Sequence, residues 1–175
     1  MAKTKLISEQ FIKDYSPVMQ NVSTQFLSMH ILESQDKELR YVIGDDLLSE
    51  IISGYTGYAE NPGSDIDDYV VEKNQILRDN YIKYILLYYT LYRSAPDFDS
   101  KITNKGIEQQ HSDYSVNKIS YENRRKGYKN DAESYVARML DYLETNIATY
   151  PLYATFIGCN GEKNFDNGWY LGSDL

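Results

Sequence analysis

Across residues 77–92 apolar side chains return every three or four positions: Leu77, Tyr81, Tyr84, Ile85, Tyr88, Leu91 and Tyr92. That spacing lays them along one face of a helix. Ile82, Leu86, Leu87 and Tyr89 widen the face until most of the circumference is apolar, so the helix has to be buried among others. Pro96 is expected to end it, because proline lacks an amide hydrogen and drives the residue before it out of helical dihedrals. A second run with the same period, Tyr128, Ala132, Tyr135, Val136, Met139, Leu140, Tyr142, Leu143 and Ile147, stops at Tyr150-Pro151. Leu77, Tyr81, Ile85, Tyr88, Tyr135, Met139, Leu143 and Ile147 are the expected core.

The remaining pattern is shorter in period. Ser8 opens a brief helix to Tyr15, broken by Ser16-Pro17. Ser23 or Thr24 caps the next, with Phe26, Leu27, Met29, His30, Ile31, Leu39, Val42 and Ile43 inward and Gly44 as a left-handed C-cap. Asp45 or Asp46 caps a helix over residues 47–53, where the helix dipole accounts for the carboxylate pair, and Gly54 closes it. Residues 54–67 are dense in turn formers and read as a long loop, a candidate contact element. Asp67 or Asp68 caps the long helix that follows.

Residues 97–119 form a second excursion. There Asn104-Lys105-Gly106 suits a tight turn between short extended pieces at 101–103 and 107–109, a small β-hairpin. From Gly158 onward the chain has no helical period, yet it carries Phe165, Trp169, Tyr170 and Leu171, too apolar for a solvated end. The expected fold is mainly α: a helical bundle with two long core helices, a small β-hairpin loop and an extended C-terminal tail. Residues 1–157 make the helical domain and 158–175 the docking tail.

A length of 175 residues allows one domain with a real core plus appendages. A net charge of -8 argues against wrapping a phosphate backbone, which needs clustered cations to displace counterions. The basic run Arg124-Arg125-Lys126, with Lys118 and Lys129 nearby, is read as a solvated face or a protein contact. The lone Cys159 has no disulfide partner and no zinc spacing, as in a reduced, cytosolic protein. The first residues lack the apolar run of a signal peptide. Lys83 and Arg93 bracket an apolar stretch well short of the ~20 residues of a membrane span. The 18 tyrosines fit either extensive contact surface or AT-rich coding, which favours Tyr, Asn, Lys and Ile.

No constellation reads as catalytic. Glu108 and His111 have the Glu-x-x-His spacing of di-iron helices, but such sites need two such pairs and further glutamates on facing helices. His30, on an apolar helix side, reads as a core histidine. Asp65, Asp67 and Asp68 lack the glycine and distal glutamate of an EF-hand loop and read as capping residues. Residues 158–163 fall short of a phosphate-binding loop, and Cys159 has no histidine beside it. No catalytic, cofactor-binding or metal-binding residue is assigned, and an enzyme is not expected.

Three segments together carry a family resemblance. The first is Leu6-Ile7-Ser8-Glu9-Gln10-Phe11-Ile12-Lys13 followed by Ser16-Pro17-Val18-Met19-Gln20-Asn21-Val22. The second is the run Ile31-Leu32-Glu33-Ser34-Gln35-Asp36-Lys37-Glu38-Leu39-Arg40-Tyr41-Val42-Ile43-Gly44-Asp45-Asp46-Leu47. The third pairs Thr103-Asn104-Lys105-Gly106-Ile107 with the helix end Asn146-Ile147-Ala148-Thr149-Tyr150-Pro151. In order and spacing the chain resembles the head-to-tail connector (adaptor or ring) proteins of tailed bacteriophages, those of crAss-like and other Bacteroidetes phages in particular. The tail beyond Pro151 and residues 54–67 depart from that pattern.

The resemblance implies a homo-oligomeric ring, a dodecamer, beneath the portal protein at the head-tail junction of the virion, made in the bacterial host cytoplasm. DNA would pass through its lumen without specific binding, and the next tail or ring protein would dock on it. Expected interface residues are Ile102, Thr103, Asn104, Lys105, Gly106 and Ile107 in the hairpin, Tyr55 and Tyr58 in the loop, and Phe165, Trp169, Tyr170 and Leu171 in the tail. Turn-rich segments such as 102–109 and 165–171 are expected to order against neighbouring subunits. The alternative reading is a small soluble helical-bundle interaction or regulatory protein.

Overall fold

Helix α1 (Glu9–Tyr15) begins where the Ser8 hydroxyl accepts the Phe11 amide hydrogen at 3.1 Å, satisfying one of the donors a helix start leaves orphaned. It is part of a computed structural model that describes residues 4–18, 22–61, 65–98, 100–103, 106–109 and 118–159, with backbone alone at 97–98, 100–103, 106–109, 118–121 and 159. The described chain is mainly helical.

Helix α2 (Thr24–Ser34) continues without a break through a π-helical turn (Gln35–Leu39) into α3 (Arg40–Ile43). Gly44 ends α3 with φ +83°, a region that costs glycine nothing and other residues a great deal. Space demands glycine there as well, since a Cβ would lie 2.7 Å from the Phe156 ring. Gly44 is also the N-cap of α4 (Asp45–Glu60), so neither Asp45 nor Asp46 caps it; both lie in its first turn.

Helix α4 corrects the expectation of a loop over residues 54–67, because it runs through both Gly54 and Gly57. The chain returns directly over them. A Cβ on Gly54 would lie 2.9 Å from the Tyr69 carbonyl oxygen, and one on Gly57 2.9 Å from the Tyr69 ring. These glycines mark a close approach of two segments rather than a turn. The return passes through a 3₁₀ turn (Ile66–Asp68) capped by Asp65, whose carboxylate accepts the Asp67 amide hydrogen at 3.3 Å.

Helix α5 (Glu72–Leu77) therefore starts after Val71, later than Asp67 or Asp68 would place it, and Asp67 instead accepts a hydrogen bond from Gln75 Nε2 at 2.6 Å. A second π-helical turn (Arg78–Ile82) joins α5 to α6 (Lys83–Phe98). Pro96 lies inside α6 and does not end it. Strands β1 (Ser100–Thr103) and β2 (Gly106–Gln109) pair antiparallel, Ile102 opposite Ile107. Helix α7 (Lys118–Thr145) is followed by a 3₁₀ turn (Ile147–Thr149) and by α8 (Pro151–Cys159), which the sequence reading missed. Proline at the first helical position was its signal.

Rising positions on the second π-helical turn and α6 meet falling positions on α7, so they run antiparallel: Tyr81 lies tilted 5.2 Å from Tyr142, Tyr84 stacks on Tyr135 at 5.0 Å, and Arg125 covers Tyr92 at 4.4 Å. Of the expected core, Leu77, Ile85, Met139 and Leu143 are buried, whereas Tyr81, Tyr88, Tyr135 and Ile147 are only half-buried. A phenol edge gains from water, which holds those tyrosines at the seam's margin. Their places inside are taken by Ile82, Leu86, Ala132 and Val136, with Leu27 and Ile31 of α2, Leu47 and Ile51 of α4, Tyr150 just before α8 and Tyr153 within it.

Both π-helical turns serve the segment before α1. Gln35, first in one turn, is buried and accepts the Leu6 amide hydrogen at 3.1 Å while its own amide donates to the Thr4 carbonyl at 3.0 Å. Arg78, first in the other, donates through Nε to the Leu6 carbonyl at 2.8 Å. The extra residue in each turn re-aims these side chains, and Leu6 and Ile7 are buried beneath them.

Candidate functional site

A groove of about 440 Å³ opens where the first π-helical turn and α3 meet α6 and the middle of α7. Helical spacing on α6 brings Tyr89 and Tyr92 to it, the former buried and the latter half-buried, while Tyr41 of α3 stands 60% exposed at its edge. Charged residues of both signs complete the lining: Lys37, Glu38, Arg93, Lys129 and Glu133. Arg93 holds Glu38 through both nitrogens, Nε to Oε2 at 3.0 Å and Nη2 to Oε1. Burial opposes the Arg93 charge, but the bonds and charge of Glu38 outweigh it and raise the guanidinium's pKa. Lys129 pairs with Glu133 at 3.5 Å and Lys37 with Glu33 at 3.3 Å.

Aromatic walls with a paired-charge rim suit a planar or aromatic group carrying a polar edge. Among the described lining residues no serine, threonine or cysteine stands beside a histidine, the pairing that nucleophilic chemistry commonly uses. Among the described residues no group of three or more His, Cys, Asp or Glu could hold a metal ion. His30 is buried, 4.8 Å edge-on from the Phe26 ring and 3.5 Å from Glu33 Oε2.

A second surface is a continuous aromatic series from α1 across α6 to α7. Tyr15 and Phe11 lie 4.6 Å apart, Phe11 and Tyr84 6.3 Å, and Tyr135 receives both Tyr84 and Tyr88, the latter at 5.8 Å. Tyr15 is 63% exposed. Cations sit over two of its rings, Lys83 on Phe11 and Arg138 on Tyr135.

The expected interface residues that the structure describes fall on two elements, helix α4 and the strand pair. Tyr55 is a correction: with its segment helical rather than looped, it is buried, under the Arg78 guanidinium at 4.8 Å. Tyr58, three residues on, is 37% exposed. Ile102, Thr103, Gly106 and Ile107 belong to the paired strands, and Glu108 lies opposite Lys101. Asn104, Lys105, His111, Phe165, Trp169, Tyr170 and Leu171 lie outside the described residues, as do residues 160–163 of the glycine-rich segment. The groove itself was missed, because residues 37, 41, 89, 92, 93, 129 and 133 share no local pattern. No helix among the described residues is long and apolar enough to cross a membrane.

The family model DUF6712, a family of unknown function, matches residues 39–162. The chain belongs to DUF6712. No curated protein and no solved structure matches it. The DUF6712 region runs from the end of the first π-helical turn through α8, so it takes in Gly44, the α6–α7 seam and most of the groove. Helices α1 and α2, Leu6 and its partner Gln35 precede it, while Arg78, the other residue of the clamp, lies within it.

Proposed function

We propose that this chain is a structural subunit of a phage head-to-tail connector, a ring below the portal that extends the DNA channel and presents a platform to the next tail component. The observation that carries the reading beyond the resemblance of its three segments is the α6–α7 pair. Two long antiparallel helices are locked by tyrosine stacking, and the polar strand pair β1–β2 is inserted where they are joined, at the end of the pair away from Tyr150 and α8. A rigid stalk with a small polar hairpin at its tip suits repeated contact between identical neighbours. The half-exposed aromatic series supplies contact area of the kind interfaces favour. The charge of -8 suits a lumen that gives passing DNA no adhesive surface.

Light scattering on the purified protein, alone and mixed with portal particles, tests the reading, with negative-stain images of the products. A closed ring, or a ring seated on the portal, is the expected result. A species that stays small and ignores the portal at every concentration would sink it in favour of a soluble regulatory bundle.

A further inference from the structure

We propose that the groove walled by Tyr41, Tyr89 and Tyr92 is the seat of the chain's own C-terminal segment, residues 165–171, which latches there in cis through Trp169 and its aromatic neighbours. Reach is the first support. Helix α8 packs so that the Phe156 ring lies against Gly44, and Gly44 stands three residues past Tyr41, about 5 Å along a helix axis. The helix ends at Cys159, and the five residues 160–164, extended, span up to roughly 17 Å. The segment is thus rooted within reach of the groove's rim.

Chemical match is the second support. The tail concentrates Phe165, Trp169, Tyr170 and Leu171 in seven positions, and the groove offers tyrosine faces, one of them well exposed. An indole gains area and ring contact against such faces, and the rim carboxylates are acceptors of the kind its N–H requires. Charge is the third. On a chain of net charge -8, the groove's lining has Lys37, Arg93 and Lys129 against Glu38 and Glu133, while the tail carries Glu162, Asp166 and Asp174 against Lys163. A mildly acidic aromatic segment meets a mildly basic aromatic groove. The latch does not depend on the connector reading, since it is a property of one chain.

Trp169 is the only tryptophan, so emission excited beyond the absorption of the 18 tyrosines reports on the tail alone. In the full-length chain, diluted to where light scattering shows monomer, the indole should emit to the blue of a free peptide of residues 160–175 and resist acrylamide. Tyr41→Ala should move emission and quenching to those of the free peptide, with the helical circular dichroism unchanged. Should that variant fail to fold, Lys37→Glu, on a residue 57% exposed in its side chain, should weaken the shielding without touching the core. Free-peptide emission in the unmutated monomer would overturn the latch. So would shielding that survives both variants, which places the tail elsewhere, or shielding that appears only as concentration rises, which places it on another copy.

Discussion

Arg125 occupies the carbonyl that Pro96 leaves without a donor. Within α6 the amide at position 96 would bond the carbonyl of Tyr92, four residues earlier, and proline has no hydrogen to give. Arg125, from α7, donates through Nε to that Tyr92 oxygen at 3.4 Å and lays its guanidinium 4.4 Å over the Tyr92 ring. One residue of the basic run is therefore a repair of the helix facing it, while Arg124 and Lys126 are exposed.

Arg125→Ala should lower stability by about 1–2 kcal/mol, the sum of a charge-assisted hydrogen bond and a cation–π contact. In a Pro96→Ala background the helix regains its own donor, so the same substitution should cost less there. Thermal melting of the four proteins closes the cycle, and equal costs in both backgrounds would show that the proline and arginine are uncoupled.

Glycines should divide by environment. Gly44→Ala places a Cβ in a positive-φ conformation against the Phe156 ring and should destabilise the fold by about 1–3 kcal/mol. Gly127, inside α7 with nothing within 4 Å of its missing Cβ, should behave oppositely. Gly127→Ala should stabilise by about 0.5–1 kcal/mol. Chemical denaturation of both variants reads the sign directly.

The Leu6 clamp predicts a local effect. Gln35→Leu keeps the volume but leaves the Leu6 amide hydrogen and the Thr4 carbonyl without partners, a loss of about 1–3 kcal/mol if the segment stays buried. Detachment of residues 4–7 would be the escape. Hydrogen exchange at Leu6 should accelerate far more than at Ile85, which is fully buried in α6.

Alkaline pH should unfold the protein cooperatively. Burial, first among the causes, raises the phenol pKa values of Tyr55, Tyr88, Tyr150 and Tyr153, and for Tyr150 the neighbouring Tyr142 adds to it. Groups whose folded pKa exceeds the unfolded value stabilise the fold fully below the unfolded pKa, about 10 for tyrosine, and lose that contribution as pH rises past it. Melting temperature should hold to about pH 9 and then fall, with phenolate absorbance appearing in step with the loss of helical signal. Phenolate that forms gradually from pH 9 with the helices intact would contradict the burial of Tyr55, Tyr150 and Tyr153.

Sequence periodicity by itself determined that the chain is mainly helical, that residues around 77–93 and 128–147 form two long helices, and that Leu77, Ile85, Met139 and Leu143 lie inside. Those features depend on i, i+3 and i+4 spacing, a property of neighbours in the chain. Gly44 was legible for the same reason, since a helix stop with glycine is a local signal. The tertiary structure alone decided that Gly54 and Gly57 stay helical, because the segment pressing on them carries Tyr69 and comes from beyond the next turn. It alone decided that α6 tolerates Pro96, because the replacement donor lies on another helix. Tyr55 went inward, and Gln35 and Arg78 became clamps, through contacts 23 to 72 positions away that no periodicity records. The groove is a further product of distance in sequence, its lining drawn from four separate elements. Local spacing fixes which face of a helix is apolar, and only packing decides what each polar exception on that face is for.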